Sequence, residues 1–298
     1  MIQTFSSPRV VCRPAIARDQ ADVIEFCKGI WNGHDYVPNA WHHWFIHPNG
    51  MFATAEYEGH AIGCSKVTLL AEGQWWLEGF RIDPCHQGKK VGSHLHNYVM
   101  DWWDERGDGI LRLMTSSKNQ HVHHLCEKTG YVKTFECCGY ESSPIDEPVE
   151  TISPITDVQE ALTFAHASAS LQLTGGRIDL GWRTAALTES VIRNFSDEKS
   201  DFVHTFHWWR DKQGLFSTWE DEEDGTRTLV IGALACRLED MPSLLMDIRR
   251  LAAERKCHEL FQITFDLPQL VSGLEAAGFV KFWEHNTFIF EKKHPICP

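Results

Sequence analysis

The sequence predicts an α/β protein built as two consecutive domains. Segments with alternating apolar residues and segments with an apolar residue every three to four positions follow one another as β-α-α-β-β-β-α-β-α-β over the first half. The second half closes with a similar strand-helix-strand-helix-strand order. Because 298 residues can bury two cores, we predict a first domain over residues 1–141, a linker over 142–154 and a second domain over 155–298.

Alternation and turn residues such as Glu58-Gly59-His60 define the strands of the first half. These strands are predicted at Val10–Arg13, Met51–Tyr57, Ala61–Leu70, Trp75–Ile82, Ile110–Thr115 and Tyr131–Gly139. The helical period of 3.6 residues defines the helices. They are predicted from near Asp19 to Gly33, around Trp41 to Phe45, over Lys90–Arg106 and over Asn119–Lys128.

Ser142–Pro154 contains three prolines and no apolar period, which is typical of a linker. Beyond it, helices are predicted at Ile155–Ala165, Pro242–Arg255 and Leu267–Ala277, and strands at Trp182–Leu187, Leu215–Trp219, Thr228–Arg237, Leu260–Phe265 and within Val280–Phe290. We predict the acidic segment Glu220–Asp224 as a turn between two of these strands.

The composition argues against several functional classes. With 28 basic and 41 acidic residues the net charge is −13, which disfavours a nucleic acid or an anionic membrane as partner. Met1–Ala15 lacks the apolar core of a signal peptide, and no apolar run approaches the ~20 residues of a membrane-spanning helix. We therefore expect a cytoplasmic protein.

Cysteine and histidine are abundant, but their spacing does not predict a metal site. The ten cysteines are scattered without a Cys-x-x-Cys pair, so we expect buried free thiols. Among 17 histidines, His121 and His124 have helical spacing. We interpret them as part of a cluster that faces solvent or substrate.

The segment from Glu78 to Gly92 is the most informative part of the chain. A strand ends at Pro84, a short loop carries Gly88, Lys89 and Lys90, and a helix follows. Free backbone N–H groups and the positive end of a helix dipole would converge at this point. The order therefore predicts an anion site that suits phosphate oxygens.

Two motifs resemble the Gcn5-related N-acetyltransferase (GNAT) superfamily. Its pyrophosphate loop reads Gln/Arg-x-x-Gly-x-Gly/Ala; here Gln87, Val91 and Gly92 match, and Lys90 stands where glycine is expected. Its later helix commonly reads Asn-x-x-Ala-x-x-Leu-Tyr-Glu-Lys-x-Gly-Phe. The matching residues of this chain are Asn119, Leu125, Glu127, Lys128, Gly130 and Tyr131, with Cys126 in place of the usual tyrosine. The resemblance covers roughly Val10 to Tyr140.

The resemblance implies tandem acetyltransferase folds, each an α/β fold with a mixed β-sheet. We expect the second fold to be degenerate, because the acidic Arg237–Pro242 stretch should repel a pyrophosphate. It also implies acetyl-CoA as the acyl donor. The cofactor-binding residues would be Phe80, Ile82, Gln87, Gly88, Lys89, Lys90, Val91, Gly92, Ser93 and Asn119. Gly79 suggests a strand bulge whose N–H receives the developing oxyanion, or a residue that relieves crowding by its aromatic neighbours.

The same resemblance implies direct acetyl transfer to an amine. Glu78 would be the general base, the alternative being an ion pair with Arg81 or Arg112. Cys126 occupies the place of the family's usual acid for the departing thiolate, although cysteine there is more often a packing residue. Tyr131 or solvent would then supply the proton.

A narrower resemblance, through Gly33, Asp35-Tyr36-x-Pro38 and Trp41, is to histidine N-acetyltransferase-like two-domain members of the family. It implies a small-molecule acceptor, such as the α-amine of a free amino acid, with histidine first. Asp35, Tyr36, Trp41 and Arg183 would bind it. Trp41 in a helix core and Asp35 as a helix cap are the structural alternatives. Two functions stay open beside it: an acyl-CoA-sensing module without catalysis, and acetylation of peptide amines.

Overall fold

The computed structural model describes residues 9–47, 49–149, 152–197 and 205–294. Two units result from the contacts within it. Of the described residues, the first unit holds 9–112, 123–131 and 292–294, and the second unit holds 113–122 and most of 132–291. Residues 1–8 of the segment Met1–Ala15, and residues 150–151 of the predicted linker, lie outside the described part.

The elements up to Ser142 follow the predicted order closely. The strands are β1 Val11–Pro14, β2 Gly50–Tyr57, β3 His60–Ala71, β4 Gln74–Ile82, β5 Ile110–Ser116 and β6 Val132–Ser142, and the helices are α1 Asp19–Cys27, α2 Val37–Ile46, α3 Val91–Arg106 and α4 Gln120–Lys128. Trp31–Gly33 forms a 3₁₀ turn between α1 and α2.

The sheet of the first unit is mixed. β1, β2, β3 and β4 pair antiparallel in sequence order, and β4 pairs parallel with the start of β5 over Gln74–Trp76. Asp19, the first residue of α1, accepts from Arg13 at 2.7 Å and from Thr54 Oγ1 at 2.9 Å, which fixes α1 to β1 and β2. The apolar side of α1 and α2, including Val23, Phe26 and Trp41, packs on Phe52 of β2.

The remaining elements belong to the second unit, except that β15 extends beyond it. The strands are β7 Ser153–Pro154, β8 Arg177–Asp179, β9 Thr184–Ala186, β10 His207–Arg210, β11 Gly214–Glu223, β12 Thr226–Cys236, β13 Glu259–Phe265, β14 Val280–Lys281 and β15 Thr287–Lys293, and the helices are α5 Val158–Ala167, α6 Ala169–Leu173, α7 Glu189–Ser196, α8 Met241–Glu254 and α9 Pro268–Ala276.

The sheet of the second unit has the strand order β15-β6-β13-β12-β11-β10-β7. Its β12–β13 pair is parallel and is connected through α8, which repeats the β4-α3-β5 connection of the first unit. The core under α8 and α9 includes Phe216, Leu244, Ile248 and Ile263. The tandem arrangement of α/β folds with mixed sheets is thereby confirmed.

Two features differ from the sequence prediction. Glu220–Glu223 continue β11 instead of forming the turn, which lies at Asp224-Gly225, where both residues have positive φ. The ion pair between Arg227 and Glu220 offsets part of the negative charge, which allows this acidic stretch to form a strand. The second difference is β6, which pairs with β13 and β15 in the second unit, although the predicted first domain runs to residue 141.

Across the described residues, no helix is long and apolar enough to cross a membrane.

Candidate active site

A bulge in β4 is the central feature of the site. In the β3–β4 register Cys64 pairs with Arg81 and Lys66 with Glu78, so Gly79 and Phe80 stand opposite the single residue Ser65. Gly79 has a φ of +60°, and a Cβ there would lie 2.4 Å from the ring of Trp44. Glycine is therefore required both by the backbone conformation and by the close approach of α2.

The bulge turns the Gly79 N–H toward Tyr36. The Gly79 N–H donates to the Tyr36 hydroxyl oxygen at 3.1 Å, and the Tyr36 ring packs edge-on against Trp44. The crowding predicted around Gly79 thus comes from Trp44 of α2, and the amide expected to receive an oxyanion has a hydroxyl partner.

Glu78, the residue before the bulge, is buried with 8% of its surface exposed. Its Oε1 accepts a 2.6 Å hydrogen bond from Thr68 Oγ1 of β3. Lys66 lies directly opposite it in the strand register. A buried carboxylate held by a hydroxyl beside a strand bulge has the position required of a base acting on a group bound there.

Arg81 and Asp35 form a buried ion pair beside the bulge. Arg81 Nε donates to Asp35 Oδ2 at 2.7 Å, and a second guanidinium nitrogen reaches Asp35 Oδ1 at 3.1 Å. Asp35 Oδ1 also accepts the N–H of Val37 at 3.1 Å, which caps the start of α2. The Arg81 guanidinium stacks 4.4 Å from the ring centroid of Trp31 and 5.4 Å from that of Tyr36.

The free edge of β4 leads to the start of α3. Among the described pairs, β5 accompanies β4 only to Trp76, so the backbone from Leu77 to Ile82 is paired on its β3 side alone. The α-carbon of Gly92 directs its open side toward Phe80 and Ile82, and a Cβ placed there would lie 3.7 Å from both side chains. Phe80, Ile82 and Gly92 are therefore neighbours.

The loop before α3 is exposed and basic. Gly88 has a φ of +74° and Lys90 a φ of +65°, so the expected glycine conformation is present although the residue is lysine. No side chain caps the helix start at Lys90, which leaves the first backbone N–H groups, of Val91, Gly92 and Ser93, open to a ligand. The Gln87 side chain donates to the Ile82 carbonyl at 3.4 Å. These groups fit a pyrophosphate.

Cys126, Tyr131 and His96 form a buried cluster between α3 and α4. Burial, and then the charge of Glu127, raise the pKa of Cys126 to about 12. Burial raises the pKa of Tyr131 well above its usual value, and the hydroxyl has no hydrogen-bond partner within the described residues. The His96 ring contacts both Phe80 and Tyr131, with centroids 6.1 and 6.4 Å away. Both predicted acids are thus held in their protonated forms.

The pKa of His96 is shifted in the opposite direction. Burial, and then the charge of Lys292, lower the pKa of His96 to about 4. Its Nε2 lies 2.9 Å from Thr129 Oγ1. The imidazole is therefore neutral at physiological pH.

Trp41, Asn119 and Arg183 are three further residues that the sequence predicts for the site. Trp41 is 2% exposed and packs in the core against Phe52, with ring centroids 4.6 Å apart. Asn119 belongs to the second unit, where its Oδ1 accepts the Val122 N–H at 3.3 Å and caps α4. Arg183 also belongs to the second unit.

The roles of Thr68, Trp31 and His96 were not predicted from the sequence. Their contacts join residues far apart in the chain, and none belongs to a recognisable motif. Only the Trp31-Asn32-Gly33 turn carries a local signal, a glycine directly after an aromatic residue at the end of a helix.

Comparison with known proteins agrees with this geometry. A family model described as the acetyltransferase (GNAT) family matches residues 19–131. Among solved structures, a GCN5-related N-acetyltransferase from Sphaerobacter thermophilus superposes with a TM-score of 0.63 at 14% identity and covers 97% of both chains. A tandem GNAT protein from the clavulanic acid biosynthesis pathway superposes with a TM-score of 0.59 at 9% identity, covering 97% of this chain and 100% of its own. The fold is therefore shared.

Two relatives are similar in sequence over part of the chain. "Probable N-acetyltransferase 16" of Homo sapiens is 31% identical over 97 residues, which are 32% of this chain and 26% of that protein. A histidine N-acetyltransferase of Xenopus tropicalis is 29% identical over 87 residues, 29% of this chain and 27% of that protein. The match spans about a quarter of the length of both relatives.

Proposed function

From the match of residues 19–131 to the acetyltransferase (GNAT) family model, we propose that this chain is an acetyltransferase that moves the acetyl group of acetyl-CoA to the primary amine of a small molecule. One observation carries the proposal: at the β4 bulge the Gly79 N–H directly follows Glu78, whose side chain is buried. An amide donor and a base side by side are what acyl transfer to an amine requires.

The basic loop holds the donor's pyrophosphate. The N–H groups of Val91, Gly92 and Ser93 supply hydrogen bonds, and Lys89 and Lys90 supply charge. The unpaired edge of β4 from Leu77 to Ile82 is available for the donor's amide-containing arm. In this arrangement the amides of Phe80 and Ile82 contribute to donor binding.

Gly79 receives the thioester carbonyl. Its N–H now donates to Tyr36, so donor binding exchanges the Tyr36 hydroxyl for the carbonyl oxygen at this amide. The amide then stabilises negative charge on that oxygen as the amine attacks. In the free protein the Tyr36 hydroxyl therefore competes with the donor for the Gly79 N–H. In the complex the same hydroxyl lies near the reacting carbon.

Glu78 takes the proton of the attacking amine, directly or through a water molecule. The Thr68 hydroxyl holds its Oε1 in place. Departure of the thiolate then needs a proton, for which Cys126 and Tyr131 remain the candidates; their raised pKa values keep both protonated at neutral pH.

The acceptor is proposed to be a free amino acid, with histidine first. The supporting observation is the similarity, over 87 residues, to a histidine N-acetyltransferase of Xenopus tropicalis. The Asp35 carboxylate is engaged by Arg81, so Tyr36 and the exposed ring of Trp31 offer the accessible surfaces beside the bulge. Arg183 remains a proposed carboxylate ligand.

The test is acetyl transfer from acetyl-CoA to each common free amino acid, with the product identified by mass. We expect product with histidine or another single amino acid. Binding of acetyl-CoA without product from any amino acid or from a peptide amine would overturn the proposal in favour of acyl-CoA sensing. The Tyr36 contact is the observation that favours this second candidate, since it occupies the Gly79 amide.

A further inference from the structure

A groove on the second unit has a chemistry that the proposed transfer does not use. It measures about 530 Å³ and lies over the parallel strands β12 and β13. Its aromatic lining includes Trp182, Trp283, Phe261 and Phe282, beside the buried Trp219. We call it the acidic groove because of the carboxylates that line the rest of it.

The aromatic side is exposed and ordered by its own contacts. Trp182 and Trp283 stack with centroids 4.9 Å apart and an interplanar angle of 28°. Trp182 nevertheless keeps 55% of its surface exposed, and Phe282 keeps 59%. An aromatic face left open beside carboxylates attracts cations, because the ring quadrupole is negative on its face.

The charge of the groove is of one sign. Five carboxylates line it, those of Glu141, Asp221, Glu223, Asp224 and Glu259, and no Lys, Arg or His stands among the described residues of its lining. Within the described ranges, no three His, Cys, Asp or Glu side chains converge closely enough to hold a metal ion. The carboxylates are therefore spread along the groove, where several separate cationic groups fit better than one ion.

We propose that the acidic groove binds a basic peptide segment, with lysine or arginine side chains on the carboxylates and on the Trp182–Trp283 pair. A single free amino acid has too little positive charge to offset five carboxylates. A second copy of this chain is disfavoured, because a two-fold contact would place these carboxylates opposite their own equivalents. The proposal concerns docking and does not depend on the acetyl-transfer site.

The sheet geometry offers a matched pair of variants. Asp221 and Glu223 face the groove on β11, and Glu222 between them does not line it. The groove variant is Asp221→Asn with Glu223→Gln. The control is Glu222→Gln with Glu254→Gln on α8, which changes the net charge equally. All four residues are exposed, so both variants retain the fold.

The experiment titrates the full chain into a fluorescein-labelled peptide of eight alternating Gly and Lys residues and follows anisotropy. We expect binding that weakens as salt rises from about 50 mM to about 300 mM. The groove variant should weaken it about three- to tenfold and the control less than about twofold. Trp182→Asn, which tolerates the positive φ of this position, should weaken binding about two- to fivefold.

Four outcomes would overturn the proposal. They are no binding by the wild-type chain at low salt, equal weakening by the groove and control variants, equally tight binding of spermidine in competition, and a wild-type dimer that Trp182→Asn converts to a monomer. The last two would assign the groove to a small polyamine or to a second copy. Acetylation activity reports none of these outcomes, so failure here leaves the transferase proposal intact.

Discussion

Each unit contains a parallel strand pair joined through a helix, and the two connections differ at the start of that helix. In the first unit, β4 leads through Gly88, Lys89 and Lys90 into α3, and Lys90 has a left-handed backbone conformation. In the second unit, β12 leads through Arg237, Glu239 and Asp240 into α8, and Asp240 has a right-handed conformation. Neither helix start has a side-chain cap.

The consequences for an anion are opposite. Arg237 of the second unit donates to its own neighbour Asp240 at 2.6 Å and lies 3.5 Å from Glu239, so its charge is matched locally. The carboxylates also satisfy the positive end of the α8 dipole. In the first unit two lysines leave that end open. A shared topology supplies the helix terminus in both units, and a few loop residues decide whether it accepts phosphate.

The largest effect of a single substitution is expected on catalysis by the first unit, for a change at Glu78. Glu78→Gln should lower kcat for acetyl transfer by about 10²- to 10⁴-fold, because the amine loses its proton acceptor, and acetyl-CoA affinity should stay within about twofold. Steady-state kinetics and calorimetry with the donor measure both. Full activity in this variant would show that Glu78 only supports Thr68 in the sheet.

Gly79→Ala tests the bulge itself. The Cβ would meet Trp44 and the φ of +60° would strain it, so we expect a loss of about 2–4 kcal/mol in the free energy of unfolding. Gly59→Ala is the control, since Gly59 has a φ of +87° and no atom within 4 Å of the added Cβ. Denaturant unfolding should show a smaller loss of stability for Gly59→Ala than for Gly79→Ala. Equal losses would mean that the Trp44 ring moves aside without a cost in stability.

His96 makes the stability of the first unit depend on pH. Its folded pKa of about 4 is below the ordinary value of 6.5, so between these pH values the unfolded chain binds more protons. The free energy of unfolding is therefore highest above pH 6.5 and decreases as the pH falls from 6.5 toward 4. Between pH 7 and pH 5 the decrease due to His96 is about 2 kcal/mol. His96→Gln should reduce this loss in urea titrations. The exposed His94→Gln on the same helix should leave it unchanged.

Tyr36→Phe removes the hydroxyl from the Gly79 N–H and keeps the ring beside Arg81 and Trp44. If Tyr36 competes with the donor, acetyl-CoA should bind about two- to tenfold tighter, which corresponds to about 0.5–1.5 kcal/mol for the hydrogen bond. Calorimetry measures the affinity. Weaker binding would instead show that the hydroxyl contacts the donor.

Lys90→Gly is expected to have the smallest effect. Glycine fits the φ of +65° better, so we expect about 0.5–1 kcal/mol of added stability. Lys256→Gly after α8, at a φ of +59°, should stabilise equally. Acetyl-CoA affinity distinguishes the two variants, because only Lys90 lies in the proposed pyrophosphate loop. A marked loss of affinity there would show that the lysine charge contributes.

The fold could be predicted because its signals are local. Alternation and helical period locate β4, α3 and α8 within a few residues, and Gly88 and Gly92 mark the loop. α7 was missed although Thr188 caps it and Val191, Ile192 and Phe195 form its apolar face. Its signal was available in the sequence.

The candidate site could be predicted only in part. Glu78, Gly79 and the loop lie in one contiguous segment, so a motif reveals them. The Tyr36–Gly79 and Asp35–Arg81 contacts join residues 43 and 46 positions apart, and their partners follow from the packing of α2 on β4. Trp41 packs in the core against Phe52, which is the structural alternative that the helix period already indicated for it.

The exchange of segments between the units has a consequence for synthesis. Lys292 Nζ binds Asp104 of α3 at 2.8 Å, and the His294 ring packs on Trp103 with centroids 5.1 Å apart. Residues 292–294 are translated about 180 positions after α3. Helix α3 therefore acquires these two neighbours only after residues 132–291 have been translated, and folding during translation cannot complete the first unit before the second has been made.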